Sequence, residues 1–286
     1  MFLLKFAQKY NFAIMQKNGI EHVFEDFFST SSNAFCIADG ITRDLTSGEP
    51  FIYPKTLDEA LTLTKNYPNP SGAGEVAHIC AESFVKCASL LDGKKLKKHH
   101  IHSILKLINH EIYKINKPRV IDYIANDLYC CVAVGGIFSD NILYCFAIGD
   151  SKITMLDENL NVVFDTSDSS ETNSYKYSFS LRRMNKTSNW NEKRYRTFIR
   201  KKIRNNLFLK TIKRYTFGAL TGEQRCLKFV KTYSVPLDNV KYILAYSDGC
   251  EECLQTKDQI RSVLSNPEQI AEEMHEKTLI IYEKEN

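Results

Sequence analysis

The sequence predicts an α+β fold built from mostly antiparallel sheets, and three observations predict it. Strand-like and helix-like runs are segregated along the chain instead of alternating, which argues against a doubly wound parallel sheet. The β-prone runs are separated by polar turns. Several of them end on an acidic residue: AFCIADGITRD (34–44), LYCFAIGDSKI (143–153) and YILAYSDGCEE (242–252), with VFEDFF (23–28) setting Glu25 and Asp26 between hydrophobic residues.

The elements follow in order. FLLKFA, NFAIMQ, HVFEDFF and AFCIADG read as strands within the first 50 residues. The loop YPNPSGAG (67–74) precedes a helix over 75–91, whose Val76, Ile79, Cys80, Phe84, Cys87 and Leu90 share a face. A second helix, near 100–115, places Ile101, Ile104, Leu105, Ile108 and Ile112 in register. Strands return at 128–138, 141–148 and 152–157, broken by GG and DN turns. A Ser/Thr/Asn-rich loop (166–192) leads to a basic amphipathic helix over 193–209. It sets Tyr195, Phe198, Ile199, Ile203 and Leu207 on one side and Arg196, Arg200, Lys201 and Arg204 on the other. Strands at 227–234 and 241–246, helices at 249–254 and 257–274, and a strand at 278–283 complete the chain.

Composition narrows the class. Of 286 residues, 43% are hydrophobic and 25% charged, as in ordinary globular proteins. No stretch approaches the roughly 18 apolar residues of a membrane span. The apolar run in MFLLKFAQK is too short for a signal peptide. Nine cysteines, scattered mostly through apolar runs, fit buried free thiols and a cytoplasmic setting. Cys250 and Cys253 form a CxxC with no second pair, so helix-facing thiols are expected in place of zinc or redox use. The net charge of +4 is local: residues 182–214 carry a net +12 and the remainder −8.

Carboxylates repel one another and are costly to bury, so a cluster of them needs a cation or a proton. Asp39-Gly40 and Asp248-Gly249 each end a strand, and glycine lets backbone approach closely. Asp150 follows FAIG, and Glu25 lies in the strand before Asp39. Oxygen-only ligands select Mg²⁺ or Mn²⁺ over zinc. A lone Asp-Gly reads rather as a β-turn, but three strand-end Asp residues with Glu25 favour a metal site.

From about residue 18 onward the chain resembles the metal-dependent serine/threonine phosphatases of the PPM, or type 2C, family. FEDFF is similar to its early Glu-Asp motif, and AFCIADG to its Asp-Gly strand. FAIGDSKITMLD resembles its Gly-Asp-Ser motif, YTFGALTGE the segment before its late strands, ILAYSDGCEECL its Ser-Asp-Gly motif, and HEKTLIIYE its closing strand. The resemblance implies one phosphatase domain over 1–286, a four-layer αββα sandwich with a basic flap-like insertion at about 166–214. It implies two Mn²⁺ or Mg²⁺ ions activating a bridging water, and a phosphorylated protein as substrate. Asp39 would bridge both ions, helped by the Gly40 carbonyl. Glu25 would hold one ion, Asp248 the other, and Asp150 a third, weaker one. The implied enzyme is cytoplasmic and monomeric, without nucleic acid or membrane as partner.

Two positions depart from the family pattern. Glu21 stands where a phosphate-binding Arg is usual, so the replacement cation would be Arg43, His22 or the basic helix. Arg43 would otherwise form a surface ion pair with Asp44. His275, followed by Glu276, stands where a closing Asp is usual, and either could hold metal. These departures leave a catalytically impaired phosphatase-like binding module as the alternative. The 182–214 segment reads as a substrate clamp, a nucleic-acid surface that interleaves Trp190, Tyr195 and Phe198 with basic residues, or a solvated helix.

Overall fold

Side-chain alternation along the strands builds a layered molecule. The computed structural model describes residues 1–20, 25–45, 47–166, 192–212, 214–272 and 275–285. Glu21, His22 and the stretch 167–191, including Trp190 and the first part of the basic segment, lie outside the described residues. The strands are β1 (Phe2–Tyr10), β2 (Asp26–Thr30), β3 (Ala34–Gly40), β4 (Cys131–Ser139), β5 (Ile142–Ile148), β6 (Lys152–Leu156), β7 (Val162–Asp165), β8 (Lys231–Pro236), β9 (Tyr242–Tyr246) and β10 (Lys277–Lys284). They form two five-stranded sheets, ordered β1-β10-β9-β6-β7 and β2-β3-β4-β5-β8. Every pairing between these strands is antiparallel.

Because successive residues face opposite sides of a sheet, each sheet buries both faces. Phe35, Ile37, Val134 and Leu143 of one sheet meet Ile153, Met155, Ile243 and Ile280 of the other in the central core. The intervening residues Ala34, Cys36, Ala38, Cys131 and Ala133 turn outward onto two helices, α3 (Gly72–Ser89) and α4 (Lys98–Asn116). Leu244, Tyr246, Leu279 and Ile281 turn the other way, onto the helix Lys257–Ser265 and Ile270. The order is helix, sheet, sheet, helix, as expected. Each fully buried Phe or Ile contributes about 1.5–3 kcal/mol. Among the described residues no helix is long and apolar enough to cross a membrane. None of the nine cysteines forms a disulfide, and seven are buried.

Several boundaries differ from expectation for identifiable reasons. NFAIMQ is not a strand: Ala13–Lys17 forms a short helix, α1, because β1 stops pairing at Tyr10↔Lys277 and Phe12 and Met15 turn into a satellite core. That core also receives helix α2 (Leu57–Asn66), which begins on a Thr56/Glu59 capping box. Gly135-Gly136 is not a turn; it lies inside β4, where a Cβ on Gly135 would fall 2.7 Å from the Phe146 ring. Residues 224–229 form a 3-10 turn ahead of β8. The helix from 257 stops at Ser265, before Asn266-Pro267.

The basic segment is the largest correction. Its helix ends at Phe198, passes into a π-turn over Ile199–Ile203, and is broken at buried Asn205, whose φ is 53°. Arg200 and Arg204 do not face solvent. Arg196 and Arg200 bind the two oxygens of Asp44 at 3.0 and 2.8 Å. Arg200 Nε lies 3.3 Å from Asp127, and Arg204 binds Asp127 in a fork at 2.7 and 2.9 Å. Asp44, Asp127, Arg200 and Arg204 are all buried. Lys201 and Lys202, between them, are exposed. These three arginines therefore fasten the insertion to Asp44, just after Asp39-Gly40, and to Asp127, ahead of β4, and their charge is spent internally.

Asp127→Ala should cost about 3–5 kcal/mol of stability, because Arg204 would be left buried without its partner. Lys201→Ala and Lys202→Ala should stay within about 0.5 kcal/mol. Urea denaturation followed by circular dichroism measures both.

Candidate functional site

Both sheets bring carboxylates to the same end of the sandwich. In one sheet, Asp26 on β2 stands directly across from Asp39 on β3. In the other, Lys152 pairs with Tyr246, so Asp150 and Asp248 lie two residues beyond that pair on the neighbouring strand ends. Glu276, immediately before β10, ties the two sheets together. Its Oε1 accepts the backbone N–H groups of Glu25 at 2.7 Å and Asp26 at 2.8 Å. Thr278 on β10 donates its hydroxyl to Asp26 Oδ2 at 2.7 Å.

Both Asp-Gly pairs need glycine because backbone crosses there, and the need is one of space. A Cβ on Gly40 would meet the Glu25 and Ala73 carbonyl oxygens at 2.7 Å, while the Gly40 N–H donates to that Glu25 carbonyl at 3.0 Å. A Cβ on Gly249 would fall 2.1 Å from the Glu276 carbonyl oxygen. Each glycine thus lets one acid-bearing segment press against another.

The result is a pocket of about 270 Å³ whose lining includes Asp26, Asp39, Asp248, Glu276, His275 and Tyr53, with Thr42 and Glu251 also contributing. Among the described residues no Lys or Arg lines it. Glu25 and Asp26 are buried, Asp39 and Glu276 half-buried, and Asp248 exposed, while Asp150 is exposed and not among the lining residues. Burial pushes the Asp39 carboxyl well above the usual range, and the nearby charges of Asp26, Asp248 and Asp150 push it further. Burial lifts Asp26 to about 6 against the hydrogen bonds from Ser247 and Thr278. Glu276 is raised by burial and then by Asp26 and Glu25.

Glu25 sits behind this pocket. Its Oε1 accepts hydroxyl hydrogen bonds from Tyr67 at 2.7 Å and Ser71 at 2.6 Å, the latter capping α3. Its Oε2 is buried and has no hydrogen-bond partner among the described residues. A buried, unpaired carboxylate oxygen beside further carboxylates suits a hard cation. Among the described residues, however, no three acidic, His or Cys side chains are already arranged to hold an ion. A cation would require some of them to turn inward.

The remaining expected residues fall as follows. His275 is exposed on the pocket wall, its ring edge-on to Tyr53 at 5.1 Å. Arg43 is not paired with Asp44, whose oxygens are taken by the insertion. Its Nη2 donates to the Ala125 carbonyl at 3.1 Å and its guanidinium lies 4.7 Å from the Tyr129 ring. It does not line the pocket, although its charge favours ionised Glu25. Asp26, Tyr53 and Glu251 are the residues sequence reasoning passed over. Asp26 is next to Glu25 in FEDFF, but only the β2–β3 register shows that it faces Asp39.

No protein-family model matches the sequence, and no curated protein does. Solved structures do. The chain is similar to the serine/threonine phosphatase PstP/Ppp of Mycobacterium tuberculosis, with a TM-score of 0.56 and 13% identity over 100% of this chain and 99% of that one. The PstP catalytic domain in complex with two manganese ions gives 0.55 and 13%, covering 99% of each chain. The phosphatase Stp1 of Staphylococcus aureus gives 0.53 and 13%, over 100% and 94%. The fold is that of these serine/threonine phosphatases, and at this identity the likeness is one of fold.

In excess chelator, Asp39→Asn should melt roughly 2–6 °C above the unaltered protein at pH 8. Because the folded-state pKa of Asp39 is raised, the protein loses stability as pH rises above the ordinary carboxylate range, and the difference should shrink towards pH 4. An equal gap at both pH values would show that Asp39 is under no electrostatic stress. Gly249→Ala should cost about 1–3 kcal/mol in urea denaturation, since its methyl group meets backbone.

Proposed function

We propose that this chain is a divalent-cation-dependent phosphomonoester hydrolase that removes phosphate from phosphoserine or phosphothreonine in proteins. One observation carries the reading: carboxylates from both sheets meet at a pocket that, among the described residues, no Lys or Arg lines, next to a buried Glu25 oxygen with no hydrogen-bond partner among them. Such an arrangement is costly alone and is relieved by positive charge. The fold shared with serine/threonine phosphatases, one of them holding two manganese ions, supports the reading.

Under it, Asp39 and the Gly40 carbonyl, with Glu25 and Asp248, hold Mn²⁺ or Mg²⁺. Asp150 serves a third position. His275, exposed beside the pocket, is the freer candidate on the closing side, because Glu276 already commits one oxygen to two backbone N–H groups. Two such ions, when bound, supply an activated water and balance the charge on the phosphoryl group. Asp26, fixed through Oδ2 by Thr278, faces Asp39 across the β2–β3 pair and would hold that carboxylate in place. Tyr53 and His275 form the lip that a substrate side chain passes.

A phosphatase-like binding module is the second reading, favoured by the lack of three ready-arranged ligands among the described residues. The two separate by measurement. The enzyme reading expects hydrolysis of p-nitrophenyl phosphate with Mn²⁺ or Mg²⁺, abolished by chelator and lowered about 100-fold or more in Asp39→Asn and Asp248→Asn. Undiminished turnover in either variant, or in chelator, overturns it. Calorimetry that finds neither Mn²⁺ binding nor turnover selects the module.

A further inference from the structure

The turn that carries Asp248 also carries the CxxC pair, and the carboxylate pocket uses neither thiol. Asp248–Cys253 forms a 3-10 turn between β9 and the helix Lys257–Ser265. With three residues per turn, positions three apart lie on the same side, about 6 Å apart along the axis. Cys250 and Cys253 accordingly pack against one core cluster, with Leu279 and Ile281 of β10. The Cα atoms of disulfides are roughly 4.4–6.8 Å apart, so this backbone suits a bridge between the two.

The two sulfurs have different surroundings. Cys250 is buried, and its Sγ donates to the Thr278 carbonyl at 3.4 Å. Cys253 is half-buried, and its Sγ accepts a hydrogen bond from Lys277 Nζ at 3.6 Å. Lys277 is itself fully buried at the start of β10, its Nζ also donating to the Ile270 carbonyl at 3.0 Å. Packing thus fixes an ammonium beside the Cys253 sulfur. A neighbouring cation favours the thiolate, the form of cysteine that attacks oxidants and electrophiles. Sequence reasoning points to inert thiols here because the lysine that meets Cys253 lies 24 residues further on. Cys87 on α3 is half-buried too, but among the described residues no Lys or Arg donates to its sulfur.

We propose that Cys253 is an oxidation site for hydrogen peroxide, with Cys250 as the thiol that closes a disulfide on it. The Cys253 thiolate attacks one peroxide oxygen and breaks the O–O bond, which gives a sulfenic acid and hydroxide. The Cys250 thiol then attacks the sulfenic sulfur. The S–S bond forms, the S–O bond breaks, and the hydroxyl leaves with the Cys250 proton as water. The hydroxide takes up the proton first lost from Cys253, so two thiols give up two electrons and peroxide becomes two waters. Closing the bridge draws the Cys250 sulfur from the Thr278 carbonyl, within the turn that presents Asp248 to the pocket. The thiol chemistry does not rest on the phosphatase reading.

The full chain, treated with hydrogen peroxide in excess chelator, blocked with N-ethylmaleimide and mapped by mass spectrometry, tests the site whether or not the protein hydrolyses anything. The segment holding Cys250 and Cys253 should lose two hydrogens while Cys87 stays a thiol. Iodoacetamide should label Cys253 of the reduced, unaltered protein about 10-fold or more faster than Cys87, a comparison that does not depend on a variant folding. Cys250→Ser should leave on Cys253 a sulfenic acid that dimedone traps, and Lys277→Met should slow labelling of Cys253 to the rate of Cys87. Equal labelling of Cys253 and Cys87 in the unaltered protein, unchanged labelling in Lys277→Met, or peroxide treatment that leaves both thiols reduced overturns the proposal. So does oxidation of Cys253 in the unaltered protein without a bond to Cys250.

Discussion

Negative charge gathered where two sheets end is the constraint on which the rest of the site depends. Asp26 faces Asp39 across a ladder, Glu276 reaches from the other sheet to the backbone of Glu25 and Asp26, and Thr278 holds Asp26. Hydrophobic burial between the sheets and under the helices supplies the stability that lets these groups stay together. The two Asp-Gly glycines set the spacing, because a methyl group at either would separate segments that now touch. The site is thus a local loss of stability carried by a well-packed scaffold.

Much of this was legible before any coordinates. Period-2 alternation and the segregation of strands from helices give the layered α+β fold, since those patterns decide which faces can be buried. Asp39, Asp150 and Asp248 were legible as strand-end acids and Glu276 through the resemblance; of these Asp39, Asp248 and Glu276 line one pocket. Asp26 was hidden by register, which depends on pairing partners far along the chain. The Thr56/Glu59 capping box ahead of α2 and the Asn266-Pro267 break were local signals that were present and went unread. NFAIMQ carries strand-like composition but lacks a neighbour to pair with after Tyr10, and tertiary context turned it into helix.

The insertion shows how charge counting misleads. A net +12 over 182–214 suggests a surface that attracts anions. Arg196, Arg200 and Arg204 instead recur at four-residue spacing and meet two acids, Asp44 and Asp127, from distant parts of the chain. No window of sequence contains both halves of that network. A count of charges does not reveal that pairing, while Lys201 and Lys202 of the same segment stay exposed.

The pairing of β1 with β10 carries a consequence for how the protein comes into being. Phe2 lies opposite Lys284, and the Glu276 carboxylate closes on backbone 250 and 251 residues earlier. Contacts so distant in sequence form late, because a long loop must close before they reward it. A nascent chain therefore exposes its strand-end acids, apart and well hydrated, until residue 276 has emerged. Charge crowding appears only on completion of the sandwich, so the crowded carboxylates are also a record that folding has finished.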